Sequence, residues 1–288
     1  MKGRERLVWP DALRGATVIS MVLYHGMWDA VYLWGFSAPW YGALPGYLWQ
    51  QSICWSFLLL SGWCFLYDRK PLKRGMTVFL WGAAISLVTL LAMPEERILF
   101  GVLTLIGSSI LLTIPLDRLV RGAAGAHAAG SGKTGAGAAD AGSSEGGMPG
   151  AGGTGAGIAD IGRAGAALAA LLFFLTRNVN RGTLGFERLS FCPLPVGLYR
   201  NLFTAYLGFP PADFWSTDYF SLIPWYFLYL TGYFLHLSMR QKTVAPGQET
   251  PPVLIRALCA VGRRAFLIYL LHQPLLFLIG SALQRMVK

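Results

Sequence analysis

The sequence predicts an all-α fold, a polytopic integral membrane helical bundle with about seven to eight transmembrane helices. Three observations lead there. Hydrophobic residues make up 54% of the chain and charged residues only 13%, with a mean hydropathy of +0.48, a balance foreign to ordinary soluble domains. Apolar runs near the ~20 residues that cross a bilayer recur along the chain. Basic residues gather on alternate connections between those runs, as membrane topology demands.

Taken in order, the predicted spans cover 13–33, 47–66, 76–92, 98–116, 157–175, 220–237 and 266–286, and 253–261 adds a short further element. Lys2, Arg4 and Arg6 precede the first span, Arg69, Lys70, Lys73 and Arg74 follow the second, and Arg118 and Arg121 follow the fourth. The short loops between hold almost no basic residues, so the N-terminus is expected on the cytoplasmic side; the expected location is a bacterial cytoplasmic membrane. The net charge of +10 is therefore a topology signal and not a nucleic-acid footprint. Arg177, Arg181, Arg188 and Arg200 lie in an external connection and break the rule, either as a plain exception or as a site for something anionic.

The first span is not a cleaved signal peptide, because Arg14 and His25 interrupt its apolar core and no small-residue cleavage site follows. Cys54, Cys64, Cys192 and Cys259 lack the spacing of a metal site, and no metal is expected. Between residues 121 and 162 the composition turns to Gly, Ala and Ser, read as a disordered cytoplasmic loop between an N-terminal four-helix part, 1–120, and a C-terminal part, 163–288, of one membrane domain. Within it, Gly130-Ser131-Gly132-Lys133-Thr134 resembles the end of a phosphate-binding loop, but His127 stands where the pattern needs glycine and no strand precedes it. The long external stretch 176–218 mixes prolines with aromatics, 196–209 suits a short interfacial helix, and a substrate lid or vestibule is one reading of the stretch.

Chemistry concentrates in the first span. Asp11, Arg14, His25 and Asp29 all lie in or at the edge of one apolar helix, where ionisable groups cost several kcal/mol at the bilayer centre. At about 100° per residue Asp11 and Asp29 share an angle, and Arg14 and His25 fall within about 60° of them. Rise along the helix separates Arg14 from His25 by about 16 Å and puts Asp29 one turn beyond His25. His272, followed by Gln273 and Pro274 in the last span, is a second membrane histidine, with a site role or an interhelical hydrogen bond as its alternatives. Asp218, Tyr219 and Trp225, at the mouth of the sixth span, are of the types that line sugar pockets, with interfacial anchoring as the other reading. His236 reads as interfacial.

These pieces, in order, resemble a known family. They are Asp11-Ala-Leu-Arg14-Gly15, Met21-Val-Leu-Tyr-His25 with Asp29, Ser61-Gly62 before Arg69, and the run from Ile98 through Gly101 to Gly107. Asp218-Tyr-Phe-Ser-Leu-Ile-Pro224-Trp225 and Gly262-Arg-Arg-Ala-Phe-Leu-Ile-Tyr-Leu-Leu-His272-Gln273-Pro274 follow. Together they resemble the catalytic domain of heparan-alpha-glucosaminide N-acetyltransferase and its bacterial relatives. The ten residues between Arg14 and His25 also resemble the motif of membrane acyltransferases that O-acylate bacterial glycans, in the same transmembrane acyltransferase superfamily. Two departures stand out: Thr104 occupies a position where relatives often have His or Gln, and the loop 36–46 holds no histidine.

The resemblance implies transfer of an acetyl or other acyl group from cytoplasmic acyl-CoA (acetyl-CoA) to a sugar or glycan acceptor, inside the bilayer. Imidazole, with a pKa near 6.5, suits the proton transfer this reaction needs. His25 is the candidate base or transient acyl carrier, and Asp29 its orienting carboxylate. Arg14, paired with Asp11, and His272 are candidate contacts to CoA; Asp218, Tyr219 and Trp225 are candidate acceptor contacts. A proton-coupled transporter or flippase using His25 and Asp29 as a relay, and a non-catalytic membrane component, are the competing readings. The oligomeric state is not encoded legibly.

Overall fold

The computed structural model of the protein describes residues 8–131, 152–239 and 251–287. Its helices are α1 Val8–Trp28, α2 Leu44–Trp63, α3 Pro71–Ala92, α4 Val102–Ser131, α5 Gly152–Thr176, α6 Leu202–Leu207, α7 Leu222–Met239, α8 Val253–Arg263 and α9 Ala265–Val287. A small hairpin, β1 Thr183–Phe186 and β2 Leu189–Pro193, interrupts this order. Among the described residues four helical segments are long and apolar enough to cross a membrane: Pro71–Ala92, Val102–Gly125, Gly157–Arg181 and Ala265–Arg285. The protein is thus an all-α integral membrane protein. The other expected spans coincide with α1, α2 and α7, of 21, 20 and 18 residues, whereas the 11 residues of α8 are too few to cross.

The chain forms two compact units, Met1–Leu60 with Ala245–Lys288, and Ser61–Val244. In the first, α1 lies along α8 and also meets α9. The α1–α8 crossing is a reciprocal glycine contact. A Cβ on Gly15 would stand 2.0 Å from the Leu258 carbonyl oxygen, and one on Gly262 would stand 2.0 Å from the Asp11 carbonyl oxygen. Small residues let membrane helices approach to backbone distance, where packing rather than water exclusion supplies the attraction. Both glycines belong to motif pieces that carry the family resemblance, so part of that signal is helix packing.

In the second unit α3 packs on α4, and α5 on α7. Ala166 and Ala169 of α5 present a small-residue face to Tyr229, Leu230, Tyr233, Phe234 and Leu237 of α7, with Phe65 and Ile110 completing the core. Asp117 ties α4 to α7 by accepting from the Tyr233 hydroxyl at 2.8 Å. His236, expected at the interface, is buried, with Nδ1 donating to the Trp63 carbonyl at 2.5 Å and its ring stacked on the indole.

Three features depart from the sequence reading. Helix α4 runs through Arg121 to Ser131, and α5 begins at Gly152, so the segment expected to be disordered from 121 to 162 is helical at both ends. Alanine, abundant there, is the strongest helix former and offsets the glycines. The rest of that segment, including most of the phosphate-loop-like piece, lies outside the described residues. The connection between α5 and α6 holds the hairpin, pinned by Asn178, whose Nδ2 donates to the Glu187 and Leu189 carbonyls. Arg177, unexplained by the topology rule, ion-pairs with Glu187 at 3.2 Å and lies 4.7 Å over the Trp225 ring.

Replacing Gly15 with Ala is expected to cost about 1–3 kcal/mol, since backbone must move to admit the methyl group. Gly122→Ala, where a Cβ meets nothing within 4 Å, should be neutral or stabilise α4 by up to about 1 kcal/mol. Thermal unfolding of both variants in detergent separates the two cases.

Candidate active site

The first unit gathers the polar residues of α1 and α9. At the start of α1, Arg14 Nη1 donates to Asp11 Oδ1 at 2.9 Å, a half-buried pair spaced i, i+3. Such pairing lowers the cost of holding a guanidinium near lipid. Eleven residues on, the His25 ring lies 4.8 Å from the His272 ring, centroid to centroid, at an angle of 62°. The chain therefore brings its two candidate histidines together from distant positions.

The hydrogen-bond partner of His272 fixes its proton. Its Nδ1 lies 2.6 Å from the Tyr269 carbonyl oxygen, which only accepts, so Nδ1 carries the hydrogen. Nε2 is then the lone-pair side in the neutral ring, and among the described residues it is buried without a hydrogen bond.

Asp29 opens a change of helix type at the end of α1. Residues Asp29–Leu33 form a π-helical turn, a wider coil often found at functional positions. Its side chain is fully buried, and Oδ1 accepts from Gln273 Nε2 at 2.8 Å. Among the described residues no hydrogen bond joins it to His25; the direct partner of Asp29 is Gln273. Among the described residues Asp29 Oδ2 and Gln273 Oε1 are both buried and without a hydrogen bond, like His272 Nε2. Three unsatisfied polar atoms thus sit on residues 29, 272 and 273, where each would ordinarily cost about 1–3 kcal/mol. Pro274 follows inside α9 and removes one backbone hydrogen bond from the helix there.

Aromatic side chains brace His25. The Tyr24 ring lies 5.9 Å from it and packs on Tyr41 and Trp49 at 5.0 and 5.2 Å. The Tyr41 hydroxyl donates to the Tyr24 carbonyl at 3.0 Å, and Trp49 Nε1 donates to Ser20 Oγ at 2.8 Å. Gln273 and Tyr24 entered the sequence reading only as neighbours of His272 and His25, with no role of their own, and the contacts of Tyr41 and of the Ser20–Trp49 pair did not enter it. Adjacency to His272 and His25 flagged the first two, and nothing in the sequence flags the long-range pairs.

Asp218, Tyr219 and Trp225 belong to the second unit. Asp218 accepts from the backbone N–H of Val102, the first residue of α4, where a carboxylate complements the helix dipole. Burial pushes its carboxyl up to about 6, and that N–H pulls it part of the way back. The segment around it is laced to the α3–α4 loop: Thr217 N–H donates to Arg97 and Phe220 N–H to Phe100. Tyr219 donates its hydroxyl to the Ala205 carbonyl, and burial pushes the phenol up to about 12. Trp225 is buried beneath Arg177, between Phe173 and Phe220. All three side chains hold neighbouring elements in place.

The family described as "Heparan-alpha-glucosaminide N-acetyltransferase, catalytic" matches residues 6–129 and 156–274, which include every residue of both groups. No curated protein and no solved structure matches the chain.

Gln273→Leu should destabilise the protein by about 1–3 kcal/mol, because Asp29 then stays buried with neither oxygen bonded. Adding Asp29→Leu should recover most of that loss, since removing both partners is far cheaper than removing one. Thermal unfolding of the two single variants and the double variant measures this. For Asp218, a folded-state carboxyl raised from 3.8 to about 6 binds its proton more tightly than the unfolded chain does. Its burial therefore costs nothing below pH 3.8, and the cost grows as pH rises to about 6 and then levels off. Asp218→Asn keeps an acceptor for Val102 and should raise stability at pH 7.5 by about 1–2 kcal/mol, with the gain vanishing toward pH 4.

Proposed function

This chain belongs to the family of the heparan-alpha-glucosaminide N-acetyltransferase catalytic domain, a family of membrane acetyltransferases, and from that premise we propose that it moves an acetyl or other acyl group from acyl-CoA to a sugar or glycan acceptor at the His25–His272 cluster. The observation that carries this reading is the set of three buried polar atoms without a hydrogen bond among the described residues, Asp29 Oδ2, His272 Nε2 and Gln273 Oε1, in the unit where the two imidazoles meet. Apolar helices do not hold such atoms cheaply, and a polar substrate portion would satisfy them.

In this reading His25 removes the proton from the acceptor amine or hydroxyl as that atom attacks the thioester carbonyl. The carbon–sulfur bond breaks, CoA leaves as the thiolate, and the proton on His25 passes to its sulfur. In the two-step variant His25 attacks first and holds the acyl group until the acceptor takes it. His272, with Nδ1–H fixed by Tyr269, offers Nε2 as an acceptor to the substrate. Asp29, buried and held by Gln273, supplies negative charge against the imidazolium that forms. Arg14 and Asp11 offer contacts to polar parts of the donor toward the start of α1. Asp218, Tyr219 and Trp225 contribute by fixing the α4 N-terminus and the end of α5, behind any surface that an acceptor touches. The donor is a substrate and no metal is invoked.

The test is release of free CoA thiol from acetyl-CoA by purified protein supplied with amino-sugar and hydroxyl acceptors. His25→Ala should lower the rate about 10²–10⁴-fold with the melting temperature unchanged. Retention of the full rate by that variant would exclude His25 from the chemistry. Uptake of a solute, driven by a proton gradient in vesicles without acyl-CoA, would replace the enzyme reading with a transporter.

A further inference from the structure

We infer that the second unit carries a phosphate-recognition site, in a cleft of about 190 Å³ where the 3-10 turn after α2, the start of α3 and the middle of α4 meet. Leu66 and Ile114 form its apolar side, and Asp68, Asp117, Arg118 and Arg121 its polar side. All belong to one compact unit.

The charges in the cleft are unequally committed. Asp117 is satisfied on both oxygens, by Arg121 Nε at 2.8 Å and by the Tyr233 hydroxyl at 2.8 Å. Asp68 is likewise engaged twice, by the Lys70 backbone N–H at 2.9 Å and by Arg74 at 3.4 Å. Each oxygen of both carboxylates already accepts a hydrogen bond from within the unit. The guanidinium groups differ. Arg121 uses only Nε, and Arg118 makes no hydrogen bond or ion pair among the described residues. A planar guanidinium presents five donors in a fork that matches phosphate oxygens, so most of this capacity is open. Pro71, the first residue of the 22-residue α3, also lines the cleft, and the helix dipole there adds positive potential. The net preference is for an anion with several acceptor oxygens.

Size narrows the ligand. Sites that enclose a drug-sized molecule occupy about 300–1,000 Å³. A cleft of about 190 Å³ accommodates a charged group whose remainder lies outside it. A phosphate ester fits, with hydrocarbon or pantetheine-like carbon against Leu66 and Ile114. Two sources share this chemistry: the phosphates of an acyl-CoA and the headgroup of an anionic phospholipid.

The two are separated by direct binding to the full-length protein in phosphatidylcholine nanodiscs. One arm titrates CoA, with pantetheine as the phosphate-free control; the other measures retention of phosphatidylglycerol by native mass spectrometry. Arg118→Gln breaks no contact within the protein and so preserves the fold, while Arg118→Gln with Arg121→Gln removes both forks. Loss of charge-assisted hydrogen bonds should weaken binding about tenfold or more in the single variant and further in the double. A loss confined to CoA identifies the donor's phosphates, a loss confined to phosphatidylglycerol identifies the lipid, and a loss of both shows a shared site. Unchanged binding of both ligands in both variants overturns the inference. Because the readout is binding, it stands or falls apart from acyl transfer by His25.

Discussion

The hydrogen bond from Gln273 to Asp29 is the constraint on which the first unit depends. A carboxyl group with no exposed surface, set between two apolar helices, is among the most expensive placements a membrane protein makes. One amide holds one of its oxygens, across 244 residues of sequence. That contact fixes the π-helical end of α1 against α9 just before Pro274, and in doing so sets the two histidine rings 4.8 Å apart. At the other end of α1, the Gly15–Gly262 contact fixes α8, the helix that immediately precedes α9 in the chain. The polar cluster is thereby held by elements at both ends of the sequence.

The second unit obeys a different economy. Its interior is filled by α7 aromatics against the small face of α5, and several of its polar residues are paired with a neighbouring element. Asp218 serves the α4 N-terminus, Arg177 is neutralised by Glu187 and covers Trp225, and Asp117 couples α4 to α7. Every one of these is a conventional way to satisfy a charge near apolar surroundings, with opposite charge, helix dipole or aromatic face. Buried polar atoms without a hydrogen bond among the described residues occur in both units, on Ser61, Thr104, Ser109 and Tyr229 as well as on Asp29, His272 and Gln273; those of the first unit differ in lying beside the Asp29–Gln273 bond and the paired imidazoles.

Much of this was legible in the sequence. Hydropathy alone located α3, α4, α5 and α9, because a bilayer imposes both length and composition on a span. The polar residues of α1 and His272 were visible for the complementary reason, that apolar helices rarely carry such groups. What the sequence concealed is mostly long-range or conformational. No local pattern reveals that Gln273 serves Asp29, or that Glu187 serves Arg177. A uniform helical wheel cannot register the π turn that begins at Asp29. The extension of α4 to Ser131 was hidden by glycine, whose flexibility masked the helix-forming alanines beside it. Asp218 looked like a pocket residue because its type fits one; its service to Val102 depends on a fold-level contact.

The claim that binds the account together is that His25 and the thioester donor share one cavity. Mapping histidine carbethoxylation by mass spectrometry, on purified protein with and without acetyl-CoA, addresses it directly. The account predicts that His25 reacts in the free protein and is protected as acetyl-CoA is added. A His25 that reacts equally at saturating acetyl-CoA, while the donor is demonstrably bound, would contradict it.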